Sequence, residues 1–501
     1  MRKALFFYRT RFIKVVDWLS RQAEERPHHV ALINDEGGQT TFLELENRVI
    51  DHCRSLEGRS IVPGMTLLSL LSPGTGFVTL LHAARRLGAI LAIGNPKWTT
   101  REVCRAVALA EPDLIFAEAS TEALGQAAAA VANRPLVRVS GEAVDLSIDP
   151  SKPVSTPPID LARPLTLLFT SGTSGEPKAI VHGAGNYLES TLSSSRRLGS
   201  RAEDIWLASM PLHHIGGLSI LLRSTILGTT ICLQKGFDAE RVATALLSGS
   251  ITQASVVPTM LDPLIDAIAG RTVPAALRFV LVGGALATGD LLERARKAGL
   301  PVAPTYGMTE TTSQVATAVP SAAPFRTGVV GEALDVTEIR LVDKDRRPVL
   351  SGVGSIEVRG PTVALGRLTR PGALESLVDD DGWMPTMDEG RMEASGVLEL
   401  LGRTDDVIVT GGENVSPSEV EAVILAHPGV ADVGVVGRPD ERWGTAVTAV
   451  VVPVSGLEPV LEDLRSFASG SLARYKLPQA VEFRPKLPRT ASGKLQRHEL
   501  R

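Results

Sequence analysis

Nine residues of this 501-residue chain, TSGTSGEPK from Thr170 to Lys178, carry four hydroxyls, two glycines and a lysine directly after an apolar run. Loops that hold phosphate do so with backbone N–H groups, hydroxyls and a lysine, and glycines let the backbone approach the anion closely. Thr170, Ser171, Gly172, Thr173, Ser174, Gly175 and Lys178 supply all of these parts. The run is not a Walker A loop, since Glu176 and Pro177 separate the last glycine from the lysine. On composition alone, an anion cradle and a flexible Ser/Gly turn both remain open. A second cluster, MPLHHIGGL at Met210–Leu218, sets two histidines side by side. Adjacent side chains rarely converge on one ion, and no third ligand stands at the usual spacing, so a metal site is not expected there.

Alternating strands and helices must position these groups. Thr41 and Glu44 form a capping box, after which Phe42, Leu45, Val49, Cys53 and Leu56 recur at helical spacing. MTLLSLLS and ILAIGNP read as strands flanking the helix GTGFVTLLHAARRLGA, a βαβ unit that predicts a parallel sheet. DLIFAE adds a strand. A Pro-rich stretch from Ser147 to Pro164 reads as a linker or surface excursion. The pattern resumes with DIWLASMPL, GTTICLQ, ITQASVVP and RFVLVGG. Residues 1 to about 400 therefore read as a large α/β domain with more than one parallel-rich sheet. Near GRTDDVIVTGGENVSPSEVE the pattern changes. Ser416, Pro417 and Glu419 read as N-cap, first helical residue and capping-box acid. A helix over 417–427, two strands and a helix over 459–473 then make a small α+β domain.

The bulk numbers narrow the function. A net charge of -4 and no basic run argue against a nucleic-acid partner. Three cysteines far apart in sequence, Cys53, Cys104 and Cys232, suit a reducing cytoplasm without a disulfide framework. The opening MRKALFFYRTRFIKVV stops its apolar run at Arg9 and Arg11, too early for a signal peptide. No stretch is long and apolar enough to span a bilayer, so no membrane partner is expected.

FTSGTSGEPK closely resembles the signature of the adenylate-forming superfamily, which includes acyl-CoA ligases, peptide-synthetase adenylation domains and firefly-type luciferases. Other motifs of that family follow in the same order over nearly the whole chain. The resemblance implies that His214 gates an acyl pocket. It implies that Gly283, Gly284 and Ala285 of VLVGGAL meet the adenine and the acyl chain. In TYGMTETT it places Tyr306, with Gly307 and Met308, against the adenine, Thr309 on phosphate, and Glu310 on Mg²⁺. A hard cation takes oxygen ligands, and one or two carboxylates suffice where a nucleotide supplies the rest. Asp388 of DGWMPTMDEG would bond the ribose hydroxyls, and Arg403 would reach ribose or phosphate. Asp405 would be the hinge, with residues 1–403 before it, 404–406 as the joint and 407–501 as a mobile C-terminal domain. Gly411, Gly412 and Glu413 would face a pantetheine tunnel, and Lys494 of LPRTASGK would be the mobile catalytic lysine.

The implied reaction activates a carboxylic acid with ATP as an acyl-adenylate, releases pyrophosphate, and passes the acyl group to CoA. Lys178 and the hydroxyl loop would hold the β- and γ-phosphates, with catalysis by positioning and cation stabilisation. The sequence departs from the family pattern in three places. Ala179 and Met387 stand where glycine is usual, and Thr445 replaces an acid. A Cβ in place of glycine blocks a positive φ or a close approach. Both glycine replacements therefore bear on ATP binding or the first half-reaction. The leading expectation is an acyl-CoA ligase acting on an aromatic or bulky alicyclic acid, since HHIGGL and LVGGAL contain no lysine or arginine. The alternatives are an enzyme impaired in adenylation that mainly turns a supplied acyl-adenylate into a thioester, a carrier-protein ligase, and a non-catalytic acyl-adenylate binder. A homodimer is the commonest soluble assembly.

Overall fold

The computed structural model describes residues 14–140, 143–144, 154, 156–171, 177–349, 352–403, 408–410, 413–440, 443–469, 471–472, 474–490, 493 and 495–500. The capping box forms as expected: Thr41 N–H donates to the Glu44 carboxylate at 2.8 Å, and Glu44 N–H donates to Thr41 Oγ1 at 3.2 Å. The helix it starts, Phe42–Gly58, buries Phe42, Leu45, Val49, Cys53 and Leu56.

Among the described residues, nine strands form one sheet and fourteen another. In the first, Thr66–Ser69 and Ile90–Ile93 run parallel with the helix Thr75–Arg86 between them. Leu114–Glu118 lies parallel on the other side of Thr66–Ser69. Pro164–Ser171 continues this sheet beside Ile90–Ile93 and then turns back as the antiparallel strand Pro177–Gly183. The second sheet has a parallel centre, with Thr230–Leu233, Ile205–Ala208, Gln253–Val256, Phe279–Val282 and Val302–Met308 in spatial order. Beyond Val302–Met308 every pairing is antiparallel, through Ser313–Thr317 to Val397–Arg403 and Met384–Met392. A short hairpin suffices there, so no crossover helix is needed.

One buried cluster joins residues of both sheets and their helices, and a buried charge cluster pins three helices together. Asp17 caps the helix Trp18–Glu25 and pairs with Arg85 at 2.8 Å and with Arg86 at 3.2 Å, while Arg86 also pairs with Glu46 at 2.7 Å. Burial opposes the charge on Asp17, yet the two guanidiniums hold its carboxyl below the ordinary range.

The C-terminal unit has its own core, in which Val433, Val435, Val447 and Ala449 pack against Val420, Ile424 and Leu464. Val430–Asp440 and Gly444–Pro453 form a hairpin, and Ala480–Phe483 lies parallel to its second strand. Three expectations are corrected here. The helices are shorter than the sequence pattern suggests, Pro417–Ile424 and Leu461–Ala468. Glu419 closes no capping box, because its carboxylate accepts two hydrogen bonds from Lys476 Nζ at 2.6 and 2.7 Å. Ser416 turns its hydroxyl away from the helix and donates to the Leu401 carbonyl of the large domain. A charged partner and an inter-domain contact outcompete the local cap. Residues 147–153 and 155 of the Pro-rich stretch lie outside the described residues; near its end Ile159–Asp160 pairs with Lys14–Val15. Among the described residues no helix is long and apolar enough to cross a membrane.

Candidate active site

The run expected to hold an anion opens at the end of a strand pair. Thr170 and Ser171, which composition alone leaves open as a flexible turn, end the strand Pro164–Ser171, with Thr170 opposite Lys178 and Ser171 opposite Pro177. Gly172, Thr173, Ser174 and Gly175 lie outside the described residues. Ala179 follows in regular ladder geometry between Phe169 and Leu368, and its methyl is fully buried. Side chains alternate along a strand, so Ala179 points into the core, away from the face that Lys178 presents.

The strand Val302–Met308 delivers Tyr306, Gly307 and Met308 to a tight turn containing Thr309 and Glu310. Gly307 is obligatory there, because a Cβ would overlap the backbone of Ser313. Thr312 and Ser313 reverse the chain at φ 52 and 91°. Residues unmarked in the sequence reading hold this turn from behind. Buried His182 donates from Nε2 to the Thr309 carbonyl at 2.7 Å, and Ser190 donates to the Thr312 carbonyl at 2.8 Å. Asn186 Nδ2 bonds the carbonyls of Pro361 and Val363 at 2.8 Å each, and the amide of Ala364 donates to the Glu310 carbonyl at 2.9 Å. Burial drives the His182 pKa down to about 4 against the opposing hydrogen bond, so the ring is neutral at pH 7. The Glu310 main chain is thus fixed while its side chain stays half-buried.

Asp388 reaches the same place from a bulge. Opposite the strand Val353–Arg359, Pro385 pairs with Glu357 and Glu389 with Ser355, so residues 386–388 face Ile356 alone. Thr386 braces the bulge: its hydroxyl donates to the Ile356 carbonyl at 2.9 Å and accepts from the Asp388 amide at 3.2 Å. The bulge aims Asp388 at Tyr306, whose hydroxyl donates to Oδ2 at 2.7 Å. Burial and the neighbouring Asp388 charge raise the Tyr306 pKa well above its ordinary value, so it remains a donor. Arg403 sits directly across the ladder from Asp388. At the tip of the bulge Met387 takes φ 62° with 48% of its surface exposed. The concern raised by the missing glycine applies to Met387, which adopts a left-handed backbone, and not to Ala179.

His214 precedes the helix Ile215–Leu227, and its ring lies 4.4 Å from that of His213. Burial lowers both pKa values, that of His213 to about 3 with His214 and Lys97 adding to the effect, so both rings are neutral at pH 7. Gly216 and Gly217 let this helix start against Met210 and Pro211; a Cβ on Gly217 would lie 2.8 Å from the Met210 carbonyl oxygen. Gly283 and Gly284 serve a similar close fit. A Cβ on the first would lie 2.7 Å from Thr305 Cγ2, and the second has φ 81° beside Val257. Ala285 follows, half-buried.

The same helix carries Arg223, 2% exposed, which the motif-by-motif reading passed over. Its guanidinium lies over the Trp206 ring at 4.9 Å, and Nε and Nη2 have no hydrogen-bond partner among the described residues. Burial lowers its pKa to about 10. Trp206 in turn donates to Ser255 at 3.1 Å, on the strand that leads to Val257 beside Gly284. A lone arginine inside the apolar run IGGLSILLRSTIL was the available sequence signal.

Asp405, Gly411, Gly412 and Lys494 lie outside the described residues, while Glu413 begins the strand Glu413–Val415. Among the described residues no group of three or more His, Cys, Asp or Glu side chains could hold a metal by itself. One carboxylate, Glu310, fits a Mg²⁺ whose other ligands are phosphate oxygens and water.

A phosphate-type hairpin, a braced carboxylate turn and a bulge-mounted aspartate on a two-part α/β chain define an adenylate-forming enzyme. The AMP-binding enzyme family matches residues 19–367, and its C-terminal domain matches residues 419–494. The 2-succinylbenzoate–CoA ligase of a Geobacillus species is 35% identical over 494 residues, with 97% of each chain covered. That of Bacillus cereus is 34% identical over 486 residues, covering 97% of this chain and 98% of its own. The Bacillus subtilis o-succinylbenzoate CoA synthetase MenE, solved with the acyl-adenylate intermediate OSB-AMP, superposes with a TM-score of 0.86 at 32% identity, covering 98% of this chain and 99% of that one. ATP-bound MatB from Rhodopseudomonas palustris gives a TM-score of 0.88 at 26% identity, over 97% of this chain and 98% of its own. The chain belongs to the AMP-binding enzyme family, in its acyl-CoA ligase branch. It is an acid–thiol ligase that joins an organic carboxylic acid to CoA through an acyl-adenylate made from ATP.

Proposed function

We propose that the acid is 2-succinylbenzoate or an aromatic acid of the same plan, with one carboxylate to be activated and a second that stays charged. Arg223 carries this reading. A buried guanidinium with no carboxylate partner among the described residues is costly, and a second substrate carboxylate beside it would turn that cost into specificity. The relatives' named substrate has two carboxylates, which supports the assignment.

In this reading the substrate carboxylate attacks the α-phosphorus of ATP. Lys178, Thr170, Ser171 and the hydroxyl loop hold the β- and γ-phosphates. Glu310 holds Mg²⁺, which would neutralise the charge growing on the phosphate oxygens. Thr309 contacts phosphate, Tyr306 and Asp388 set the nucleoside, and Arg403 reaches ribose or phosphate. His214, neutral at pH 7, gates the acyl side. Lys494 meets the reacting oxygens and then withdraws as the C-terminal domain, residues 407–501, turns about Asp405, so that the CoA thiol enters past Gly411–Glu413. We place the enzyme in the cytoplasm, without nucleic-acid or membrane partners, as a homodimer.

The test is pyrophosphate release with 2-succinylbenzoate and with its analogue lacking one carboxylate. Arg223→Gln should cost the diacid about 3 kcal/mol, roughly a hundredfold in kcat/KM, and leave the monoacid nearly unchanged. Equal losses for both acids would sink the assignment. The left-handed Met387 beside Asp388 favours a second reading, in which adenylation is weak and thioesterification of a supplied acyl-adenylate dominates. Brisk pyrophosphate–ATP exchange with the correct acid would eliminate it.

A further inference from the structure

Gly493, the residue before Lys494, sits in a hydrogen-bonded turn. Arg489 and Leu495 bridge antiparallel at its base, and the Gly493 amide donates to the Thr490 carbonyl at 2.8 Å. The Arg489 guanidinium spans two elements. It grips the Asp432 carboxylate through Nη2 at 2.7 Å and Nε at 3.2 Å, and its Nη1 donates to the Gly493 carbonyl at 2.9 Å. Gly493 lies against the large domain. Gly493 has φ 80°, and a Cβ there would lie 2.6 Å from Cγ2 and 3.0 Å from Cβ of Thr259. Thr259 is in the first turn of the helix Pro258–Ile268, just after Val257, which lies against Gly284.

We propose that Thr259 is the seat on which the C-terminal domain docks for the adenylate-forming step, and that the Arg489–Asp432 pair is the bracket that presents Gly493 to it. These are positioning residues. They touch no reacting atom, and they act through the residue next in the chain, Lys494. The inference rests on the proposed role of that lysine. Glycine is required at 493 for two separate reasons: a left-handed backbone, and the absence of a Cβ against Thr259. The contact belongs to one domain arrangement, because a rotation about residues 404–406 would carry Gly493 away from Thr259. Damage to the seat should therefore fall on one half-reaction only.

In the full-length enzyme, Gly493→Ala should lower 2-succinylbenzoate-dependent pyrophosphate–ATP exchange by about tenfold or more. Conversion of the synthetic acyl-adenylate with CoA should stay within about twofold. Adding Thr259→Ala removes the atoms nearest the new methyl and should restore several-fold of the lost exchange, while Arg489→Ala should reproduce the selective loss without rescue. Equal losses in both half-reactions, or no rescue by Thr259→Ala, would overturn the seat. A second measurement does not depend on the acid. The pair Thr259→Cys with Thr490→Cys, which keeps glycine at 493, should be joined by a short bis-maleimide in the presence of ATP alone, since Thr490 is hydrogen-bonded to Gly493. Failure to cross-link would overturn the proposal even if another acid proved to be the substrate; absence of exchange in the unaltered enzyme, with normal cross-linking, would overturn only the choice of acid.

Discussion

Two positions in this enzyme hold a side chain where the family resemblance predicts glycine, and the fold treats them in opposite ways. Ala179 lies in a regular strand, paired on both sides, with its methyl buried in the sheet core. Met387 lies at the tip of a bulge at φ 62°, exposed, one residue before Asp388. In the left-handed region the Cβ of an L-residue crowds the following carbonyl, at a cost of about 1–2 kcal/mol. The same substitution in a motif is thus a packing contribution in one place and backbone strain in the other. Strain of this kind collects at functional sites, where the surroundings over-determine it. Here the surroundings are Thr386, which braces the bulge to Ile356, and Tyr306, which draws Asp388 inward.

The largest effect expected on this contrast comes from pH. The hairpin strand Pro177–Gly183 carries buried, neutral His182, and the large domain also holds buried His82 and half-buried His213, whereas the bulge rests on uncharged hydroxyls. Folding lowers these histidine pKa values from 6.5. The stability they contribute is whole above pH 6.5 and drains away as pH falls toward about 4 for His182 and about 3 for His82 and His213. Urea midpoints should fall steadily across that window, and His182→Gln should make the curve shallower between pH 6.5 and about 4; a midpoint constant from pH 7 to 4 would contradict the burial argument.

Next in size is Ala179→Leu, which overfills the sheet core and should cost up to about 3 kcal/mol in equilibrium unfolding. If Ala179 instead faced the nucleotide, the loss would appear in the ATP KM with stability intact. Tyr306→Phe should weaken the Asp388 side by about 2 kcal/mol, because it removes a buried hydrogen bond to a carboxylate. That loss should be read in pyrophosphate–ATP exchange, with the CoA step largely spared. The smallest pair is the most direct. Ala179→Gly should destabilise the protein and Met387→Gly should stabilise it, each by about 1 kcal/mol. Shifts of the same sign in thermal unfolding would mean that the two sites are not different after all.

How far the sequence could be read follows the same physics. The capping box at Thr41, the βαβ unit and the strand end at Val282 were legible because each is encoded within a few neighbouring residues. The motif residues were legible too, since glycines and ionic groups at fixed spacing constrain a ligand loop directly. His182, Ser190 and Asn186 were not, because they act on a turn more than a hundred residues further along the chain. The capping box expected at Ser416 failed for the complementary reason: Leu401 and Lys476, remote in sequence, claimed its two side chains.

By itself, the sequence determined the kinds of groups available, the local elements that carry them and the order in which they come. The tertiary structure alone decided which of two missing glycines matters, since φ at Met387 is set by a register shift between distant strands. It also decided that Arg223 is a buried cation whose Nε and Nη2 have no partner among the described residues, and that Gly493 meets Thr259. Burial, register and close approach are properties of pairs of remote residues, and no window of sequence contains both members of such a pair.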